Sequence, residues 1–166
     1  MSGSAFVFIN MVQAARFGHV GWGFALGDGT FYFGSTDHLY RHPWWDLPAW
    51  VRYAKVEPDA DNDWWSSVGT RDDMLRIMGK GDPLRYHIRY HHVKEVSVPK
   101  FDAIAARDYA EALRVGGWAV LSNNCVHQAY EVLTRYGADL PHPERPLTNL
   151  IPKVWFANIA GNRFNI

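Results

Sequence analysis

The sequence predicts an α+β fold: an antiparallel β-sheet packed against a helix that bears the chain's one cysteine at its N-terminus. Three observations carry this. Two strand-like runs, Phe17 to Leu26 and Thr30 to Asp37, flank Gly27-Asp28-Gly29, which is the pattern of a β-hairpin. Val126, Ala129, Tyr130 and Leu133 recur at helical core spacing, and Gly137 follows as a stop. Ser122-Asn123-Asn124-Cys125 puts small polar capping residues just ahead of that helix. At 166 residues the expectation is a single domain, 1–166.

Taken in order, Ala5 to Val12 is a short apolar run that reads as a buried strand. The hairpin follows. From His38 to about Val68 the chain reads as irregular, rich in Pro, Asp and Trp, with Trp44-Trp45, Trp50 and Trp64-Trp65 in it. Thr70 to Met78 reads as a short helix: Thr70 is an N-cap, Asp73 stands three residues on, and Gly79 is a stop. Leu84 to Val98 reads as a strand, its first half placing Leu84, Tyr86, Ile88 and Tyr90 on one face and Arg85, His87, Arg89 and His91 on the other. Asp102 to Val115 is a helix ended by Gly116-Gly117, and Trp118 to Leu121 is a brief extended piece that delivers the chain to Cys125. The tail from Pro141 is proline-rich and then apolar.

Composition narrows the function classes. Seventeen basic and seventeen acidic residues cancel, so no net field draws the chain to nucleic acid or an anionic membrane. One cysteine excludes an intrachain disulfide. The N-terminal run has no positive region ahead of it and reads as a first strand, so a cytoplasmic location without a signal peptide is expected. No stretch is long and apolar enough to span a bilayer.

The chemistry is expected at Cys125. A helix N-terminus carries partial positive charge and unpaired N–H groups, which favour a thiolate and can hold an oxyanion. Asn123 or Asn124 is the expected N-cap, and Asn124 is a candidate to aim its amide at an oxyanion beside the Cys125 N–H. Far upstream, Gly18-His19-Val20-Gly21-Trp22-Gly23-Phe24 supplies a histidine at the start of a strand, so Cys125 and His19 are a candidate nucleophile and base. His19 shares its strand face with Gly21, Gly23 and Ala25, while Val20, Trp22, Phe24 and Leu26 form the other, which suggests a wall behind His19 and space in front of it. A three-residue Gly27-Asp28-Gly29 loop would pair Leu26 with Thr30 and set His19 opposite Asp37; a two-residue loop would set it opposite His38. Asp37 is the first choice to orient the imidazole, with His38 second and Ser35 third.

Gly18-His19-Val20-Gly21-Trp22-Gly23-Phe24 with Gly27-Asp28-Gly29, followed far downstream by Asn124-Cys125-Val126-His127 and Thr134-Arg135-Tyr136-Gly137, resembles the circularly permuted papain-like cysteine hydrolases. These include permuted relatives of the NlpC-type cell-wall peptidases and the lecithin–retinol acyltransferase group. In both this chain and the permuted branch the His precedes the Cys. The resemblance covers about residues 17 to 37 and 118 to 138 and implies a permuted papain-like fold, with Cys125 as nucleophile and His19 as general base. It implies a thiol hydrolase that cleaves an amide or peptide bond, a cell-wall peptide being one candidate, through an acyl-enzyme. The acyltransferase branch carries a second His about four residues beyond the turn. Phe33 stands in that neighbourhood here, which favours the broader hydrolase reading over lipid acyl transfer. A non-catalytic binding module that kept the fold is the competing class.

Other features are expected to be secondary. Trp22, Trp44 and Trp45 are candidates to bind a peptide or acyl-containing small-molecule substrate, and the tryptophan-rich segment reads either as a lid or platform or as a loop pinned by its own rings. His87, His91 and His92 suggest a metal only weakly, because a strand sets His87 and His91 well apart; no metal or other cofactor is expected. The basic and aromatic run Arg85 to His92 reads as an amphipathic strand rather than a nucleic-acid surface. His127 is either a helix-surface residue or a tuner of the thiol.

Overall fold

The computed structural model describes residues 2–37, 54–80 and 90–166. In chain order these form β1 (Gly3–Asn10), β2 (His19–Ala25), β3 (Phe31–Thr36), β4 (Lys55–Val56), β5 (Trp64–Gly69), α1 (Arg71–Lys80), β6 (His92–Val98), α2 (Ala103–Ala112), β7 (Trp118–Ala119), α3 (Cys125–Tyr136), α4 (Pro152–Asn158) and β8 (Asn162–Asn165). The fold is α+β. Six strands make one sheet in the order β5-β3-β2-β1-β6-β8, antiparallel at every pairing, and β4 pairs with β7 beside it.

The sheet is covered on both faces. Ala5, Val7 and Ile9 of β1 and Val20, Trp22 and Phe24 of β2 pack with α2, α3 and α4 through Ala106, Ala110, Val126, Ala129, Val132, Leu133, Trp155 and Phe156. On the opposite face Phe6 and Phe8 of β1 and Phe33 of β3 pack with Met74 and Met78 of α1 and with Tyr90. Central strand β1 is therefore apolar at successive residues, as a strand buried on both faces must be. Each such Val, Leu, Phe or Met contributes about 1.5–3 kcal/mol on burial.

Local chemistry sets the helix ends. Thr70 and Asp73 cap α1 reciprocally: the Asp73 N–H donates to Thr70 Oγ1 at 3.2 Å and the Thr70 N–H to Asp73 Oδ2 at 3.3 Å. Asp102 caps α2 by accepting from the Ala105 N–H at 2.9 Å. Gly137 ends α3 at φ 111°, and a Cβ there would sit 2.4 Å from the Lys100 carbonyl oxygen, so only glycine fits.

Three sequence expectations change. Trp64–Gly69 is a regular edge strand on β3 and not part of an irregular stretch, because ladder bonds to Phe31–Thr36 outweigh the Pro/Asp-rich surroundings. Gly79 lies inside α1, not after it, where it lets Ile166 approach the helix. The tail also returns as α4 and the edge strand β8, which pairs with β6. The alternation placed on Leu84 to Arg89, together with His38, Trp44, Trp45, Trp50 and His87, lies outside the described residues. Among the described residues no helix is long and apolar enough to cross a membrane.

Candidate active site

The hairpin register brings His19 to Asp37. Leu26 N–H donates to Thr30 O at 2.9 Å across the three-residue loop, and the ladder from Ala25↔Phe31 to Trp22↔Gly34 continues to set His19 against Asp37. His19 Nε2 lies 3.1 Å from Asp37 Oδ1 and 2.9 Å from Ser35 Oγ. Ser35 and Asp37 therefore meet the same ring nitrogen. Ser35 also donates to the Val20 carbonyl at 3.4 Å. His19, Ser35 and Asp37 are all buried.

Two residues missing from the sequence-based set complete this half. The Trp65 indole N–H donates to Asp37 Oδ2 at 2.7 Å, so both carboxylate oxygens are engaged. Tyr90 stacks on the imidazole with ring centroids 6.0 Å apart and planes 30° apart. Burial, with the negative charges of Asp37 and Cys125 nearby, holds the Tyr90 hydroxyl protonated well above its ordinary range. The Trp65 signal was present as an aromatic pair before Ser66-Ser67-Val68, but the composition around it hid the strand.

Cys125 occupies the first position of α3, and Asn124 is its N-cap. Asn124 Oδ1 accepts from Val126 N–H at 2.9 Å and His127 N–H at 3.3 Å. In return His127 Nδ1 accepts from the Asn124 N–H at 3.3 Å, closing a capping box. The Cys125 N–H receives none of these caps. His127 Nε2 faces Glu144 Oε1 at 3.6 Å, and burial lowers the ring's pKa against the opposing pull of Glu144.

Cys125 acts directly on His19. Burial alone would disfavour the imidazolium. The negative charge of Cys125 opposes it most strongly, followed by the hydrogen bond to Asp37, a hydrogen bond to Cys125 and the charge of Asp37. Their sum raises the His19 pKa from 6.5 to about 10. A thiol beside an imidazole that a carboxylate holds can pass its proton to the ring and keep the resulting charge pair buried.

The geometry corrects three expectations. The small residues on His19's face do not leave open space and do not face the cysteine helix. A Cβ at Gly21 would meet Met78 Cε at 2.8 Å and Tyr90 Oη at 2.9 Å, and one at Gly23 would meet Met74 Sδ at 2.8 Å, so α1 fills that side. The cysteine helix packs on the bulky face of β2, and the site straddles the two layers at the start of that strand. Trp22 is 1% exposed and stacks on Tyr32 at 5.4 Å and Phe24 at 6.1 Å, so it is a core residue with no face for substrate. The Asn124 amide is not free for an oxyanion, because Nδ2 donates to Val120 O at 2.9 Å and Leu150 O at 3.3 Å; of the two expected donors, the Cys125 N–H alone is left.

The loop before His19 is strained. Ala14 at φ 50° and Arg16 at φ 72° hold left-handed conformations that side chains disfavour. Asn10 pins this loop by accepting from the Val12 and Gln13 N–H groups at 2.9 and 3.1 Å, and the Lys153 N–H ties it to α4 through Phe17 O. A cleft of about 300 Å³ runs along α3, lined by Ser122, Asn123, His127, Tyr130, His142 and Glu144 among others. Neither Cys125 nor His19 lines it. Among the described residues no three His, Cys, Asp or Glu side chains are grouped to hold a metal. Compared with protein-family models, curated proteins and solved structures, the chain matches none.

Proposed function

We propose that this chain is a thiol hydrolase that cleaves an amide or peptide bond through a Cys125–His19 acyl-enzyme, on a permuted papain-like arrangement. The observation that supports it is the buried convergence of Cys125, His19 and Asp37 from a helix start and a hairpin 106 positions upstream of it in His19's case. In this reading His19 takes the Cys125 proton, and Asp37 steadies the imidazolium that forms. The sulfur attacks the substrate carbonyl carbon, a C–S bond forms, and charge collects on the carbonyl oxygen. The N-terminus of α3, through the Cys125 N–H, faces that charge. The tetrahedral species collapses, the C–N bond breaks, and His19 returns its proton to the departing amine. Water then gives a proton to His19 and attacks the thioester, which releases the carboxylic acid and restores the thiol. A cell-wall peptide is the substrate class suggested by the resemblance of the His19 and Cys125 segments.

Alkylation kinetics test the reading. Cys125 in the native protein is expected to react with iodoacetamide faster than a free thiol near neutral pH, and His19→Ala to slow it. A thiol that labels only after denaturation sinks the proposal. A second reading, acyl transfer to or thioester cleavage of a lipid-like substrate, draws on the exposed apolar residues in the loops leading to the two reactive groups: Val12 and Phe17 before His19, Val120 and Leu121 before Cys125. Mass spectrometry of Cys125 after exposure to a peptide amide and to a fatty acyl thioester separates the two, because only the true substrate class leaves its acyl group on the sulfur.

A further inference from the structure

Asp37 stands one residue past the end of β3, where the ladder no longer fixes a side chain. There its N–H donates to Asp63 O at 3.2 Å. The carboxylate's orientation therefore depends on what its two oxygens touch. Oδ1 lies 3.1 Å from His19 Nε2, and Oδ2 accepts from the Trp65 indole at 2.7 Å. Trp65 is itself immobilised. It pairs with Ser35 in the β3–β5 ladder, is 6% exposed, and meets the Phe33 ring edge-on at 6.4 Å and 84°. The indole N–H is a donor only, with no acceptor lone pair and no charge to lose near neutral pH. It can hold a carboxylate oxygen in one place but cannot compete with that carboxylate for the imidazole.

We propose that Trp65 is a positioning residue: its indole N–H fixes Asp37 Oδ2 so that Oδ1 stays on His19, and through His19 it sets the reactivity of Cys125. The proposal rests on the reading of Cys125, His19 and Asp37 as the catalytic set. Without the indole the carboxylate can turn about its terminal torsion, and His19 loses the contact that holds its tautomer and its charge. Among the described residues the charged and titratable groups that face His19 are Asp37, Cys125 and Tyr90, so a change at position 65 reaches the ring through Asp37.

The test is a double-mutant cycle with two readouts, the pH profile of Cys125 alkylation and the His19 pKa from imidazole NMR. Trp65→Phe keeps an aromatic ring in the ladder and removes the donor. It should slow alkylation about tenfold, the scale of one hydrogen bond to a charged group, and lower the His19 pKa toward that of Asp37→Ala. In the Asp37→Ala background the same change should do nothing further to either readout. Effects that multiply in the double variant, or a wild-type His19 titration in Trp65→Phe, overturn the proposal. Phe33→Leu is the packing control, since it removes an aromatic neighbour of Trp65 but keeps the donor: it should lower the melting temperature and move the His19 pKa far less than Trp65→Phe does. Should Trp65→Phe not fold, the Trp65 indole N–H resonance in Asp37→Ala decides: a shift supports the assignment and an unmoved resonance rejects it. The His19 titration needs no reactive thiol, so an inert Cys125 would remove the hydrolase reading while the NMR arm still decides whether Trp65 acts through Asp37.

Discussion

The two halves of the candidate site are held by different means. The His19 half is built from the sheet: His19, Ser35 and Trp65 lie on β2, β3 and β5, and ladder registers set their spacing. The Cys125 half is built from caps: Asn124 gathers Val126, His127, Val120 and Leu150 with one side chain, drawing on a helix, the loop before it and the tail. A ladder distributes its geometry over many backbone bonds, so no single side chain places His19. A cap concentrates it, so one residue decides where the sulfur stands. The sheet half should therefore be robust in position and sensitive in charge, and the cap half the reverse.

The largest expected effect breaks the site outright. Cys125→Ser should abolish acyl-enzyme formation, and because the Cys125 charge is the strongest influence holding it up, the His19 pKa measured by NMR should fall. His19→Ala should leave the fold intact and slow Cys125 alkylation by about a hundredfold or more at neutral pH, in line with the worth of a positioned base. Asp37→Ala should cost about 10- to 100-fold in the same assay, the range of a charge-assisted hydrogen bond, with little change in melting temperature. Asn124→Ala should show the opposite balance. Losing the cap and the bonds to the Val120 and Leu150 carbonyls should cost about 1–2 kcal/mol by urea unfolding, with a smaller loss of alkylation rate.

A further expected effect is a pH dependence. His19 binds its proton more tightly folded than unfolded, so its contribution to stability is complete below pH 6.5 and is lost as pH rises to about 10. Urea midpoints across that window should fall in the wild type and fall less in His19→Ala. Equal slopes in the two proteins would mean that the His19 charge is not held as described.

Legibility in the sequence followed the range of the interactions. The hairpin was readable because Gly27-Asp28-Gly29 is local, and one loop length sufficed to set His19 against Asp37. The two ends of α3 were readable because Asn124 and Gly137 are capping residues within a few positions of what they cap. Trp65 and Tyr90 were not assigned to the site, since each reaches His19 or Asp37 only after strands distant in sequence have paired. Gly21 and Gly23 were misread for the same reason: a missing side chain marks a close approach, but the pattern does not say whose atoms approach. The Asn124 amide misled because a cap and an oxyanion donor call for the same residue type at the same place, and only Val120 O and Leu150 O distinguish them.

Because His19 belongs to the α1 face of β2 while Cys125 belongs to the opposite layer, the pair gauges the sheet's thickness at that strand. Packing volume on either side becomes a tolerance on the sulfur-to-imidazole gap. Gly21→Ala, whose methyl would press on Met78 and Tyr90, would shift the ring stacked on Tyr90 without touching the helix that carries the sulfur. On the hydrolase reading, drift in either core would be screened by reactivity well before it is screened by unfolding, and repacking on the α1 side should slow Cys125 alkylation more than it lowers stability.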